Sequence, residues 1–262
     1  MTPGGRERRG DGPGWEKPSS LPSLHRNEIH VWRAWLDLPD RELTRLTQLL
    51  PPEEVRRAAR FSHDIHRRRF IAHKGTLRGL VASYLGLDPC EVHFEIDRWG
   101  KPRVVNGKRT ASILFNTSHS ADLALYSFSC RAELGIDVER IDCGLDWAEL
   151  AGTALSESEV LELRSMPRSC RLEAFFATWT RKEALAKAVG LGLWLPLSML
   201  RVPIDPWVTG WRIHQVPTEM GKVDCRQLDL TPGAGYRASL AVLGMAGDVC
   251  WFDAAAREPM CG

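Results

Sequence analysis

The apolar positions of this chain form two long helical stripes, each followed by runs of alternating residues. Between Asp64 and Leu85, Phe70, Leu77, Leu80, Val81 and Tyr84 supply one stripe, and Gly86 supplies a C-terminal stop. Between Leu172 and Val189, Phe175, Phe176, Trp179 and Ala186 recur at three- and four-residue steps and predict a second helix. Ahead of the first stripe, IHVWRAWLDL predicts a strand with Ile29, Val31 and Ala34 or Trp35 as core candidates. Leu43 to Leu50 predicts a short helix with Asp40 as its N-cap; Pro51 and Pro52 close it and open the next, EEVRRAARF. VHFEI, PRVV, SILFN and LALYSFS then read as short strands, separated by RWGKP and NGK. LALYSFS is apolar on both faces and is expected at a sheet centre.

The pattern then recurs. LGIDVE reads as a strand, a loose segment leads to a short helix near Glu157 to Arg164, and the second long helix follows. MLRV, GWRIHQV, KVDCRQLDL, YRASLAVL and DVCWF supply further β-type runs. The long helices start about 110 residues apart, which suggests an α+β chain of two similar halves, residues 28–130 and 131–253. Residues 1–27, rich in Gly, Pro, Arg and Ser without an apolar period, are expected to be a disordered tail, and residues 254–262 a short one.

Composition narrows the class of protein. With 262 residues and 44% hydrophobic content the chain can build a core, and 35 basic against 33 acidic residues give no field that would attract nucleic acid or a membrane. No apolar run nears the roughly twenty residues of a membrane span, and no secretory leader is evident. Seven scattered cysteines without CxxC spacing fit reduced thiols in a cytoplasmic protein.

Candidate chemistry begins at Glu183, which the helical period aims into the apolar arc one turn after Trp179, with Lys187 a turn later. An ion pair at the helix edge is one reading, and a polar notch built for a ligand is the other. In LGIDVE, Asp137 and Glu139 share one strand face and can converge on a cation; a solvated acidic edge is the alternative. Carboxylates without His or Cys partners favour a hard ion such as Mg²⁺, with Asp137, Glu139 and Glu183 as a partial shell. FNTSHS ends a strand with Asn116, Thr117, Ser118 and His119, and WGKP holds Lys101 in a turn; both suit phosphate or an ordinary polar turn. The segment from Arg56 to Lys74 is a basic helix face, open to solvation, phosphate or nucleic acid. GxGxxG after a strand, GxxxxGK[ST], HExxH and GxSxG are all missing, so dinucleotide, P-loop, zincin and serine-hydrolase readings lack support.

GKP, FNTSHS, GIDVE and, some forty residues on, WTRKEALAK together resemble the ordered motifs of the Sfp-type 4′-phosphopantetheinyl transferases, over roughly residues 50 to 200. The resemblance implies a pseudo-dimer of two α+β halves, each a long helix on a small antiparallel sheet, with the active site in the cleft between them. It implies transfer of 4′-phosphopantetheine from coenzyme A to a serine of an apo acyl or peptidyl carrier protein, dependent on Mg²⁺, with release of adenosine 3′,5′-bisphosphate. Matched position by position, it makes Asp137, Glu139 and Glu183 metal ligands and Lys187 the diphosphate contact. It assigns Lys101, Ser118, His119 and Arg57 to coenzyme A, the last two toward its 3′-phosphate, with Asn116 and Thr117 in the same loop. Glu159 matches a glutamate that helps deprotonate the carrier serine, and a water held by Glu183 is the other base. Leu145, Trp147 and Leu150 offer an apolar docking patch for a carrier helix, or core. A single-chain pseudo-dimer is expected to be a monomer. A coenzyme A or nucleotide-binding module without transferase activity is the alternative, and polyketide, peptide and fatty-acid synthases all stay open as clients.

Overall fold

A computed structural model describes residues 14–105, 113–191 and 194–254. Residues 1–13 and 255–262 of the expected tails, and the NGK turn, lie outside the described residues. Ten strands and six α-helices are described: β1 (Glu28–Trp35), α1 (Asp40–Thr47), α2 (Pro52–Ala58), α3 (Asp64–Leu85), β2 (His93–Ile96), β3 (Pro102–Val105), β4 (Leu114–Ser120) and β5 (Leu123–Ser129) come first. β6 (Leu134–Arg140), α4 (Trp147–Ala154), α5 (Glu157–Ser165), α6 (Arg168–Val189), β7 (Arg212–Thr218), β8 (Gly221–Leu230), β9 (Tyr236–Leu243) and β10 (Asp248–Asp253) follow.

Two four-stranded sheets, ordered β10-β1-β5-β4 and β6-β9-β8-β7, and a β2-β3 hairpin make a mixed α+β fold. The period-2 pattern explains the layering. On β1 and β5, Trp32, Ala34, Ala124, Tyr126 and Phe128 face α1–α3, while Ile29, Val31, Leu123 and Leu125 face the second sheet. There they meet Ile136 and Val138 of β6 and Leu240 and Val242 of β9. α6 covers the far side of the second sheet through Ala184, Leu185 and Ala188. Every residue of LALYSFS is buried, as its two-sided apolarity predicts.

The differences are instructive. MLRV is no strand; Leu197–Met199 forms a short 3₁₀ turn instead. The loose segment after LGIDVE contains α4, capped by Asp146 on the Ala148 N–H at 3.0 Å. β10 leaves the strands around it in sequence and pairs in parallel with β1, His30 beside Cys250 and Trp32 beside Phe252. Residues from 14 onward, expected to belong to the tail, also dock there: Trp15 packs edge-on against Trp251 and Glu16 bridges to Phe252.

β4 and β6, each at the edge of its own sheet, run side by side and are joined by β4 side chains. Asn116 accepts from the Ile136 N–H at 2.8 Å, and the Ser120 hydroxyl accepts from the Arg140 N–H at 3.1 Å. Gly135 sets the approach of α6 on the opposite face, since a Cβ there would stand 1.9 Å from the Ala184 carbonyl oxygen. Only glycine permits that contact, and the strand positions that follow it are thereby brought under the helix.

Candidate active site

Asp137, on the same face of β6 as Gly135, is 3% exposed. Its Oδ1 accepts from the Lys187 ammonium at 2.6 Å and from the Ser118 hydroxyl at 2.9 Å. Lys187, from the last turn of α6, also reaches Ser118 Oγ at 3.2 Å and the Ile136 carbonyl at 3.3 Å. Glu139, two residues on, accepts from the Ser120 hydroxyl at 2.7 Å. Burial, then the Asp137 charge, pushes the Glu139 carboxyl up to about 7, with Glu183 adding to the rise. Burial and Asp137 raise Glu183 too, against the pull of Lys187. The three carboxylates thus sense one another, and Lys187 is the cation that counters the rise at both glutamates.

The donor chemistry fits a hard divalent cation. All three candidates are carboxylates, and Asp137 Oδ2 is a buried oxygen without a hydrogen-bond partner among the described residues. An unmet buried acceptor costs about 1–3 kcal/mol, which a cation at that oxygen would offset. The oxygens of Asp137, Glu139 and Glu183 do not all lie within 4.8 Å of one another, so closing a shell calls for side-chain rotation at the two partly buried glutamates.

A second group is basic. His119, two residues beyond Thr117 on β4, stacks on buried His73 of α3 at 4.6 Å. Burial, with Lys74 and then Lys187, holds the His119 imidazole below its ordinary value, although the residue as a whole is exposed. Lys74 is lowered by burial and feels Arg57 and Arg78. Arg57 itself is exposed, with its guanidinium 5.3 Å from the Phe70 ring. His119 therefore sits within the field of two ammonium groups, Lys74 and Lys187, and Lys74 is itself offset by Glu54, so the basic side of this group can favour an anion. Sequence reading singled out the arginines of this segment and passed over Lys74; its place directly after His73 on α3 was the available signal.

Other candidates have internal partners. Lys101 is buried and its ammonium donates to Glu133 at 2.8 Å, the Leu134 carbonyl at 2.9 Å and the Lys187 carbonyl at 3.0 Å. It ties the β2-β3 hairpin to the C-terminal end of α6, where a cation suits the helix dipole. Thr117 donates to the Leu125 carbonyl at 3.1 Å, and the Asn116 oxygen is spent on β6. Glu159 is 1% exposed: it closes a capping box on Ser156, accepts from the Val202 N–H and pairs with the fully buried Lys182. Lys182 and its neighbour Arg181, which is held by Asp229 and the carbonyls of Pro203 and Asp205, are buried cations that the helical period did not reveal.

Beside Glu139 opens a cavity of about 710 Å³ whose apolar wall includes Leu145, Leu150, Phe175, Phe176 and Trp179. Two of the three apolar residues noted after Glu139 therefore line a concave surface next to the carboxylates; Trp147 packs with the α4–α6 cluster.

Comparison with known proteins covers both halves of the chain. The sequence model of the 4′-phosphopantetheinyl transferase superfamily matches residues 133–241, and that of the 4′-phosphopantetheinyl transferase N-terminal region matches residues 33–130. The chain is 35% identical over 232 residues to the 4′-phosphopantetheinyl transferase HetI of Nostoc sp., covering 87% of this chain and 92% of that one. It is 26% identical over 190 residues to the 4′-phosphopantetheinyl transferase Sfp of Bacillus subtilis, covering 71% and 78%. The L-aminoadipate-semialdehyde dehydrogenase-phosphopantetheinyl transferase of Xenopus laevis is 26% identical over 180 residues, covering 66% of this chain and 57% of that one.

Proposed function

The chain belongs to the 4′-phosphopantetheinyl transferase family and is a transferase, and on that premise we propose that it moves 4′-phosphopantetheine from coenzyme A to a serine hydroxyl of an apo acyl or peptidyl carrier protein. We read the two helix-on-sheet units as halves of a pseudo-dimer that acts as a monomer, with the reaction at the seam of β4, β6 and α6. The observation that carries this reading is the carboxylate cluster around Lys187, with Asp137 Oδ2 buried and unpartnered.

In this reading Asp137, Glu139 and Glu183 hold Mg²⁺. Such an ion neutralises charge developing on phosphoryl oxygens when bound. Lys187 meets the diphosphate, exchanging part of its contact with Asp137 for substrate, and Ser118 orients both groups. Arg57, Lys74 and His119 form the anion site for the 3′-phosphate; an anion there favours protonation of His119, which burial and Lys74 otherwise oppose. The carrier serine oxygen forms the new bond to phosphorus, the bond to adenosine 3′,5′-bisphosphate breaks, and the serine proton leaves to a base. Glu159 suits that task poorly, since its carboxylate is buried on Lys182 and caps α5. A water held by Glu183 is the acceptor we favour. The apolar cavity beside Glu139 suits the carrier protein, whose serine must come within reach of the cluster.

The test is to incubate the protein with coenzyme A, Mg²⁺ and an apo carrier protein and to weigh the carrier. A gain of about 340 Da, the mass of the transferred group, is expected. An unmodified carrier across acyl and peptidyl types, with coenzyme A still bound, would leave a binding module instead.

A further inference from the structure

Glu28, His30 and Cys250 lie together on the α3-facing side of the first sheet, at the end remote from the carboxylate cluster. Glu28 and His30 are two residues apart on β1 and so share a face, while the parallel register sets Cys250 of β10 directly beside His30. One side-chain ligand atom from each lies within 4.8 Å of the other two. His30 Nε2 is 3.3 Å from Glu28 Oε2, and the Cys250 thiol forms no disulfide among the described residues. From these positions we infer that Glu28, His30 and Cys250 form a binding site for a borderline-soft divalent cation of the zinc type, separate from the site of transfer.

The chemistry and the surroundings agree. A thiolate, an imidazole and a carboxylate are the ligand types zinc takes, and bonds of about 2.0–2.3 Å in tetrahedral geometry put neighbouring ligand atoms roughly 3.3–3.7 Å apart. The observed separation of His30 from Glu28 already falls at that value. His30 is 1% exposed, and its other nitrogen, Nδ1, stands 2.7 Å from the Tyr84 hydroxyl. That hydroxyl accepts from the Trp32 indole at 2.8 Å. A metal-bound His30 would carry its proton on Nδ1 and donate it to Tyr84, the outer contact that fixes ring and tautomer in histidine–metal sites. Phe252 holds the ring from a second side, edge-on at 5.0 Å. The Glu28 side chain keeps 27% of its surface exposed, so an ion can enter from solvent, and a water can fill the fourth position. Binding releases the Cys250 proton to solvent and leaves the thiolate as ligand. A hydrogen bond between Glu28 and His30 would by itself account for two of the three residues; it gives no reason for a thiol at the third corner.

The probe is Co²⁺, added to full-length protein in excess Mg²⁺ so that carboxylate sites are filled. A thiolate-to-cobalt charge-transfer absorption, saturating at one ion per chain and displaced by Zn²⁺, is expected. Cys250→Ser should abolish it, Glu28→Gln should weaken Co²⁺ binding at least about tenfold, and Cys143→Ser should leave it unchanged. Should Cys250→Ser fail to fold, wild-type protein decides: Zn²⁺ should slow alkylation of Cys250 at least about tenfold without protecting exposed Cys90 or Cys143. No charge-transfer band, a band that survives Cys250→Ser, or Cys250 alkylated equally fast with and without Zn²⁺ would overturn the site. Transfer to carrier protein plays no part in this readout.

Discussion

Replacing Glu183 by Gln keeps the side chain's volume and removes one of three mutually repelling charges, so its effects on catalysis and stability should part company. Transfer should fall at least about a hundredfold, as for a group acting in the transition state, while the thermal midpoint holds or rises. Steady-state kinetics and calorimetry on one preparation check both. The pH response has a defined sign. Glu139, raised from 4.5 to about 7 in the fold, keeps a proton that the unfolded chain has released, so stability falls as pH rises through that window. In the proposed reading Mg²⁺ removes the repulsion, and the rise in midpoint it produces should be larger near pH 8 than near pH 5.5. An equal rise at both would refute the cluster as the cation site. At this scale, residue type was legible but partner was not. Glu183 and Lys187 could be picked out because charge was aimed at an apolar arc, and Asp137 because it shares a strand face with Glu139. Lys101, Asn116 and Thr117 have the same polar character, yet they bond to the protein's own carbonyls and amides, and only coordinates separate those uses.

At the level of single elements, α6 carries both a structural and a chemical load. Lys182 and Glu159 are buried together, so Glu159→Gln leaves a buried ammonium without its counter-charge and should cost about 3–5 kcal/mol. Chemical denaturation measures that loss, and an unchanged kcat in the remaining folded enzyme would distinguish a cap and counter-ion from a base. Gly135→Ala should cost at least about 3 kcal/mol, because the new methyl meets the Ala184 carbonyl and α6 must back away. The helices α3 and α6 and the central strand β5 were readable from periodicity, since burial alone dictates their patterns. α4 was not: eight residues, five of them Ala, Gly or Thr, give too short a stripe to distinguish helix from loop.

Over the whole molecule, the two sheets face each other between two long helices, and β4 and β6 join them through side chains rather than a continuous ladder. A two-fold recurrence of helix and strands was visible in the chain. The departure of β10 was not, because an alternating pattern says which face is apolar and nothing about which strand lies alongside. That crossing has a consequence for how the chain reaches its native state during synthesis. More than two hundred residues separate β1 from its parallel partner β10. At the roughly 5–20 residues per second of translation, the first strand waits on the order of ten seconds or more with one edge unpaired. The nascent chain therefore has to keep an apolar strand edge from neighbouring chains until β10 has left the ribosome.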